Sequence, residues 1–404
     1  MPEPRTSGLA RIPRAVWVLG FVSMCMDLSS ELVHALLPLY MAVGLGASTL
    51  TIGIVEGIAE ATAMIVKVFS GALSDLFRRR KPLVVVGYGL AGFTKLIFPL
   101  APTLGWVVGA RFADRVGKGI RGAPRDALIA DLSPPEVRGA SFGLRQALDT
   151  VGGVGGPLLA IGAMAYFAGD FQAAFWVAVV PAILCVLLLL FGVEESVKST
   201  PEAGTDPSRR LRFDDARRLG GRYSIVVGIA AILTLARFSE AFLILRAQNV
   251  GLTVAMAPMV MVVMSIVYAA VAYPAGAAAD RGHGPRLLSS GLAALVVADL
   301  VLANAVGSAT VFAGAALWGL HMGLTQGLLA ALVAASAPAD LRGTAFGVFN
   351  LVCGVALLVA SVLAGWLWDN FGPGFTFYAG AALTSIAWIA LLRHGRVATE
   401  LRNG

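Results

Sequence analysis

Long apolar runs, one after another, constrain this chain more than any other feature. A helix that crosses the hydrocarbon core of a bilayer needs about 20 mostly apolar residues. Twelve such runs can be laid along the sequence between clusters of Gly, Pro and charge. They are 15–41, 50–74, 82–101, 104–129, 139–168 and 171–192, then 223–249, 254–279, 286–306, 310–335, 344–368 and 374–392. With 57% of its 404 residues hydrophobic, 14% charged and a mean hydropathy of +0.79, the chain exceeds the apolar share of a water-soluble domain. The expected fold class is an all-α membrane protein with the lipid bilayer as its solvent.

A formal charge of +7 and a pI near 9.6 would suit a nucleic-acid binder if the basic residues shared a surface. Instead they occupy alternate connections: 78–81, Arg138, the stretch 193–222, Arg281 with Arg286, and Arg342. The connections at 44–49, 101–103, 251–253 and 306–310 carry no Lys or Arg. This is the positive-inside pattern, and it excludes nucleic acid as the reason for the charge. It predicts a multi-pass protein of the cell inner membrane with both termini cytoplasmic. The first apolar run follows basic residues, but Asp27 interrupts it and no small-x-small cleavage site follows, so it reads as a retained helix. Cys25, Cys185 and Cys353 fall inside apolar runs with no C-x-x-C pairing and no nearby His, so they read as packing residues; no metal site and no cofactor is expected.

The stretch 193–222, with Lys198, Arg209, Arg210, Arg212, Arg217, Arg218, Arg222, Pro201 and Pro207, reads as a cytoplasmic linker between halves 1–192 and 223–404. The halves repeat one another. Gly71 begins G-A-L-S-D-L-F-R-R-R-K and Gly276 begins G-A-A-A-D-R-G-H-G-P-R; Pro134 begins P-P-E-V-R-G-A-S-F-G and Pro338 begins P-A-D-L-R-G-T-A-F-G. Asp75 and Asp280 are 205 residues apart, Arg138 and Arg342 are 204 apart, and a shared offset at two signatures argues for duplicated six-helix units.

These residues resemble the major facilitator superfamily, and the resemblance covers essentially the whole chain. Gly71, Asp75, Arg78, Arg79, Arg80 and Lys81 are similar to that family's signature between its second and third helices. The resemblance implies twelve transmembrane helices in two six-helix bundles and a cytoplasmic gate at Gly71, Asp75, Arg79 and Arg80, with Asp280 and Arg281 in the second half. A carboxylate ending a helix at the membrane surface can meet a basic residue or a helix N-terminus and latch that side shut. Arg111, 27 residues before Arg138, is similar to the family's fourth-helix arginine, but Asp114 and Arg115 stand where a Gln-Gly pair is usual. The run G-K-G-I-R-x-A-P-R-D from Gly117 resembles prokaryotic members of unassigned substrate. Gly152, Gly153, Gly155, Gly156 and Pro157 are similar to the G-x-x-x-G-P signature of drug and proton antiporters, with Ala160 and Ile161 where a Gly pair is common. Gly152, Gly156 and Pro157 are read as a helix-packing motif, since small residues let helices approach and Pro permits a bend.

Ionisable residues at mid-membrane cost about 2.5–3.5 kcal/mol each on insertion scales, so their number demands partners or a polar cavity. They fall on stripes: Asp27, Glu31 and His34; Glu56, Glu60 and Lys67; Arg111, Arg115, Lys118 and Arg125 beside Asp114; Arg145 and Asp149. Mutual pairing is the simplest account, above all for Arg145 with Asp149. Asp27, Glu31, Glu56 and Glu60 are the candidates for proton coupling. His34, Arg111, Asp114, Arg115, Arg145 and Asp149, with Trp318, His321 and Asn350 from the sparser second half, are the candidates for the substrate cavity. The methionines Met256, Met259, Met261 and Met264 read as packing or lipid-facing.

The expected function is proton-coupled export of a small solute by alternating access, performed by a monomer. Symport of an organic anion or metal chelate is the alternative within transport. An enzyme is not expected, since no H-E-x-x-H, nucleotide-binding Gly loop or Ser/His pairing appears. The sequence leaves the charge of the cargo open.

Overall fold

The computed structural model describes residues 12–76, 80–194, 219–338 and 341–393, and no strand occurs among them. The apolar runs are helical: α1 (Arg14–Leu39), α2 (Thr49–Leu76), α3 (Lys81–Ile97), α4 (Leu104–Leu132), α5 (Arg138–Tyr166) and α6 (Phe171–Gly192). They continue as α7 (Gly220–Ala236), α8 (Ala241–Asn249), α9 (Met259–Ala278), α10 (Gly284–Ala303), α11 (Ser308–Ser336), α12 (Arg342–Phe371) and α13 (Pro373–Arg393). Nine segments among the described residues are long and apolar enough to cross a membrane. Helices α2, α4 and α11 are not among them, and α2 and α4 are rich in ionisable side chains. Large apolar residues such as Phe69, Phe93, Val180, Phe191 and Tyr273 stand exposed on the helices, as lipid-facing residues must.

Two of the expected runs carry irregular stretches. The segment 223–249 is one of the nine candidate spans, but the chain leaves helical geometry within it at 237–240, between α7 and α8; residues 254–258, at the start of the run 254–279, form turns. The break is held from a distance. Ser361 Oγ accepts a hydrogen bond from the Ser239 amide at 3.2 Å, and the Phe238 ring lies 5.4 Å from each of Phe242, Trp318 and Phe377. Unwound backbone at membrane depth persists where protein groups satisfy it. Arg246 of α8 then donates to the carbonyls of Leu302 and Ala303 in the last turn of α10 and of Ala305 just beyond it.

The described chain forms two compact units, 12–33 with 66–194 and 34–65 with 219–393. In the first, Val16, Leu19, Val22 and Met26 of α1 pack with Val84 and Tyr88 of α3, Leu128 and Ile129 of α4, and Leu189 of α6. Cys25 and Cys185 belong to this core, and Cys353 is buried in the second unit. Asp170 starts α6 by accepting from the amides of Gln172 and Ala173 at 2.9 and 3.1 Å.

In the second unit the first turns of α2 lie along α12. The Asp369 carboxylate accepts from the amides of Thr49 at 3.1 Å and Leu50 at 2.8 Å, capping a helix 320 residues away in sequence. A Cβ on Gly365 would stand 2.5 Å from the Thr49 carbonyl oxygen, one on Gly53 would strike the Ser361 carbonyl, and one on Gly57 would stand 3.1 Å from Leu358 Cα. Only glycine permits so close an approach of the two backbones at Gly53 and Gly365.

Candidate functional site

Two motifs that are far apart in sequence meet in the first unit. The acid stripe of α1 lies directly on the glycine stripe of α5. A Cβ on Gly152 would stand 2.7 Å from Asp27 Cβ and 2.8 Å from the Met24 carbonyl; one on Gly156 would stand 2.5 Å from Glu31 Cβ and 2.9 Å from the Leu32 amide. Asp27 and Glu31 therefore sit on a bare backbone surface and are half-buried. Pro157 follows within the continuous helix α5, which ends at Tyr166.

A chain of ion pairs and hydrogen bonds surrounds this contact. Arg145 Nη1 pairs with Asp149 Oδ2 at 2.9 Å, one turn along α5 as the spacing predicts, and lies 3.6 Å from Asp126 Oδ1 of α4. Arg125 pairs with the same Asp126 oxygen at 3.0 Å and donates to Ser23 Oγ of α1 at 2.8 Å. Ser23 and the Tyr88 hydroxyl of α3 are 2.9 Å apart, and the Arg121 guanidinium stands 4.8 Å from the centre of the Tyr88 ring. The charges bearing on Asp27 are those of Asp149, Arg121, Glu31 and Arg125. Asp126 thus joins Arg125 to Arg145, and Arg145 in turn reaches Asp149.

A second buried cluster joins α3 to α4. Lys95 Nζ donates to Asp114 Oδ1 at 2.7 Å, and Arg115 Nε lies 3.5 Å from Asp114 Oδ2, all three side chains being at most 2% exposed. Arg111 is buried on the same helix. Lys95 was not singled out by sequence reasoning, although a lysine deep in the run 82–101 was a visible signal. Its role is to neutralise Asp114, and it explains how an acid survives at that position.

The remaining candidates lie elsewhere. His34 and Glu56 are buried and Glu60 is half-buried, all in the segment 34–65 that groups with the second unit. Trp318 packs on Phe238, and His321 Nδ1 lies 2.8 Å from the Gly291 carbonyl; both are buried in the interior of the second unit, while Asn350 is half-buried on α12. Of the expected gate, Arg80 pairs with Asp131 of α4 at 2.9 Å, and Lys81 donates to the Leu190 and Val193 carbonyls at the end of α6. Gly71 has Ala123 as its near neighbour, and Arg281 is exposed in the turn after α9. Arg79 and the side chains of Asp75 and Asp280 lie outside the described residues, as does 195–218 of the linker.

Comparison with known proteins agrees with this architecture. Residues 19–361 and 224–403 match the model of the Major Facilitator Superfamily. An uncharacterized MFS-type transporter, MJ1317 of Methanocaldococcus jannaschii, is 32% identical over 390 residues, spanning 94% of this chain and 95% of its own. The inner membrane transport protein YajR of Escherichia coli K12 is 25% identical over 406 residues, spanning 94% of this chain and 82% of its own. The fold is that of the nucleoside transporter NupG, with a TM-score of 0.77 at 13% identity over 94% of this chain and 98% of the other. With its helices, its buried charge and its matches along nearly the whole sequence, the chain belongs to the major facilitator superfamily.

Proposed function

We propose that this transporter exports a small solute in exchange for protons, by alternating access of two six-helix bundles, 1–192 and 223–404, joined by the cytoplasmic linker 193–222. The observation that carries this reading is the seating of Asp27 and Glu31 on Gly152 and Gly156. Two carboxylates one turn apart repel when both are ionised and lose hydration as they are buried, so protons stabilise the packed arrangement. Loss of a proton adds a negative charge beside Arg121 and Arg125 and favours a different pairing. A glycine surface lets α1 shift against α5 without steric penalty, which makes the protonation state of the acids and the packing of the two helices one coupled variable. Glu56 and Glu60 are the further acids of this reading, and Arg111, Asp114, Arg115, Arg145, Asp149, His34, Trp318, His321 and Asn350 its cavity candidates. In the same reading Asp75 and Asp280, with the neighbouring arginines, close the cytoplasmic side.

The test is transport in proteoliposomes with an imposed pH gradient, scanned over a panel of drugs, organic anions and metal ions. Asp27→Asn and Glu31→Gln imitate the protonated acids. Each is expected to abolish gradient-driven accumulation while leaving exchange of cargo across the membrane measurable. If both variants accumulate cargo as the parent does, these acids do not carry the coupling.

A further inference from the structure

The interior of the second unit holds a buried carboxylate, Asp299. Asp299 lies in the fifth turn of α10 and is 0% exposed, and neither Oδ1 nor Oδ2 has a hydrogen-bond partner among the described residues. Its surroundings are apolar and close: a Cβ on Gly380 of α13 would stand 2.6 Å from Asp299 Oδ2, and the same point lies 3.2 Å from Cε1 of Phe238. Phe238 belongs to the break between α7 and α8. A glycine on one side and an aromatic edge on the other therefore enclose the carboxyl group.

The charged and titratable groups of the packed elements are otherwise engaged or placed. Arg246 of α8 donates to the carbonyls of Leu302, Ala303 and Ala305; His321 of α11 has Nδ1 at the Gly291 carbonyl; Arg237 and Glu240 flank Phe238 in the break. No ion pair to Asp299 forms among the described residues. An ionised carboxylate without a partner in an apolar interior is too costly to persist, whereas a carboxylic acid is not. Sodium would require a cage of several oxygens, and no cluster of acidic or histidine ligands occurs among the described residues. Thr384, one turn from Gly380 on α13, is also buried, and its Oγ1 has no hydrogen-bond partner among the described residues.

We infer that Asp299 is a proton-binding site of the second unit, distinct from Asp27 and Glu31, whose occupancy is linked to the position of Phe238 at the α7–α8 break. When the site empties, the O–H bond breaks, the proton passes to water and the electron pair stays on the carboxylate. That charge needs water or a donor beside it, and Phe238 has to move aside to admit one.

The experiment needs no cargo. Infrared difference spectra of the full-length protein in lipid are recorded between acid and alkaline pH, together with the number of protons released. The parent is expected to show a carboxylic-acid C=O band that Asp299→Asn removes, with about one proton fewer released per chain. Gly380→Ala, which crowds the acid but keeps it, is expected to shift that band. The band should survive in the Asp27→Asn/Glu31→Gln variant, which separates this site from the coupling pair. Spectra and proton counts of Asp299→Asn identical to those of the parent would overturn the inference, as would a band lost with Asp27 and Glu31.

Discussion

If the proposed alternating access requires α2 and α12 to part, the Asp369 carboxylate is where the seam is pinned. Asp369→Ala removes two hydrogen bonds, of 3.1 and 2.8 Å, from the first amides of α2. Loss of a helix cap costs about 1 kcal/mol, and loss of a negative charge at a helix N-terminus a further 0.3–1 kcal/mol or so. Asp369 is exposed, so charge-assisted bonds are discounted for solvent and the sum stays near 1–2 kcal/mol. That corresponds to roughly a 5- to 30-fold shift from the closed seam toward the open one. The assay is the rate at which an impermeant thiol reagent modifies a cysteine at Leu358, which faces Gly57 across the seam, in a background lacking Cys25, Cys185 and Cys353. Asp369→Ala is expected to raise that rate by the same factor, and Gly365→Ala, whose Cβ meets the Thr49 carbonyl, to act in the same direction. An unchanged rate in both variants would refute the assignment of this seam as a gate.

Three further outcomes are expected. Lys95→Met leaves Asp114 buried without its lysine and is expected to lower thermal stability by an amount equivalent to about 3–5 kcal/mol, with much of the loss recovered in Lys95→Met/Asp114→Leu; equal melting of all three proteins would contradict the pairing. Cysteines at Ser48 and Ser308 are expected to react with an impermeant reagent in intact cells and one at Thr205 not to, and labelling at Thr205 would invert the proposed topology. Asp75→Asn is expected to slow turnover while the protein still inserts in the membrane, and normal turnover would leave Asp75 without a gating role.

The helices were legible because spanning segments are specified by composition over about 20 residues, and α6 is bounded by the very residues the apolar run indicated, Phe171–Gly192. The break at 237–240 was not, because Arg237 and Glu240 have helical spacing and the groups that hold the chain open, Ser361, Trp318 and Phe377, come from other helices. The components of the candidate site could be read one by one, as an acid stripe, a glycine stripe and an ion pair. Their convergence could not, since nothing in the spacing says which face of α5 meets α1. Asp369 left no mark at all: its partners are backbone amides, which every residue type supplies.

Arg246 gives the broken segment a mechanical asymmetry. Its three bonds to the end of α10 tie α8 to that helix, so any bending of this segment would fall at the break 237–240, as at a pivot. The other arm is α7, whose 17 residues extend about 25 Å and pack along α12 and α13. At its far end the Tyr223 hydroxyl donates to the Ala345 carbonyl in the first turn of α12 at 2.7 Å. A turn of about 10° at the pivot would displace that end by roughly 4 Å and pull on α12, so a small change around Phe238 arrives at the opposite end of the unit enlarged by leverage.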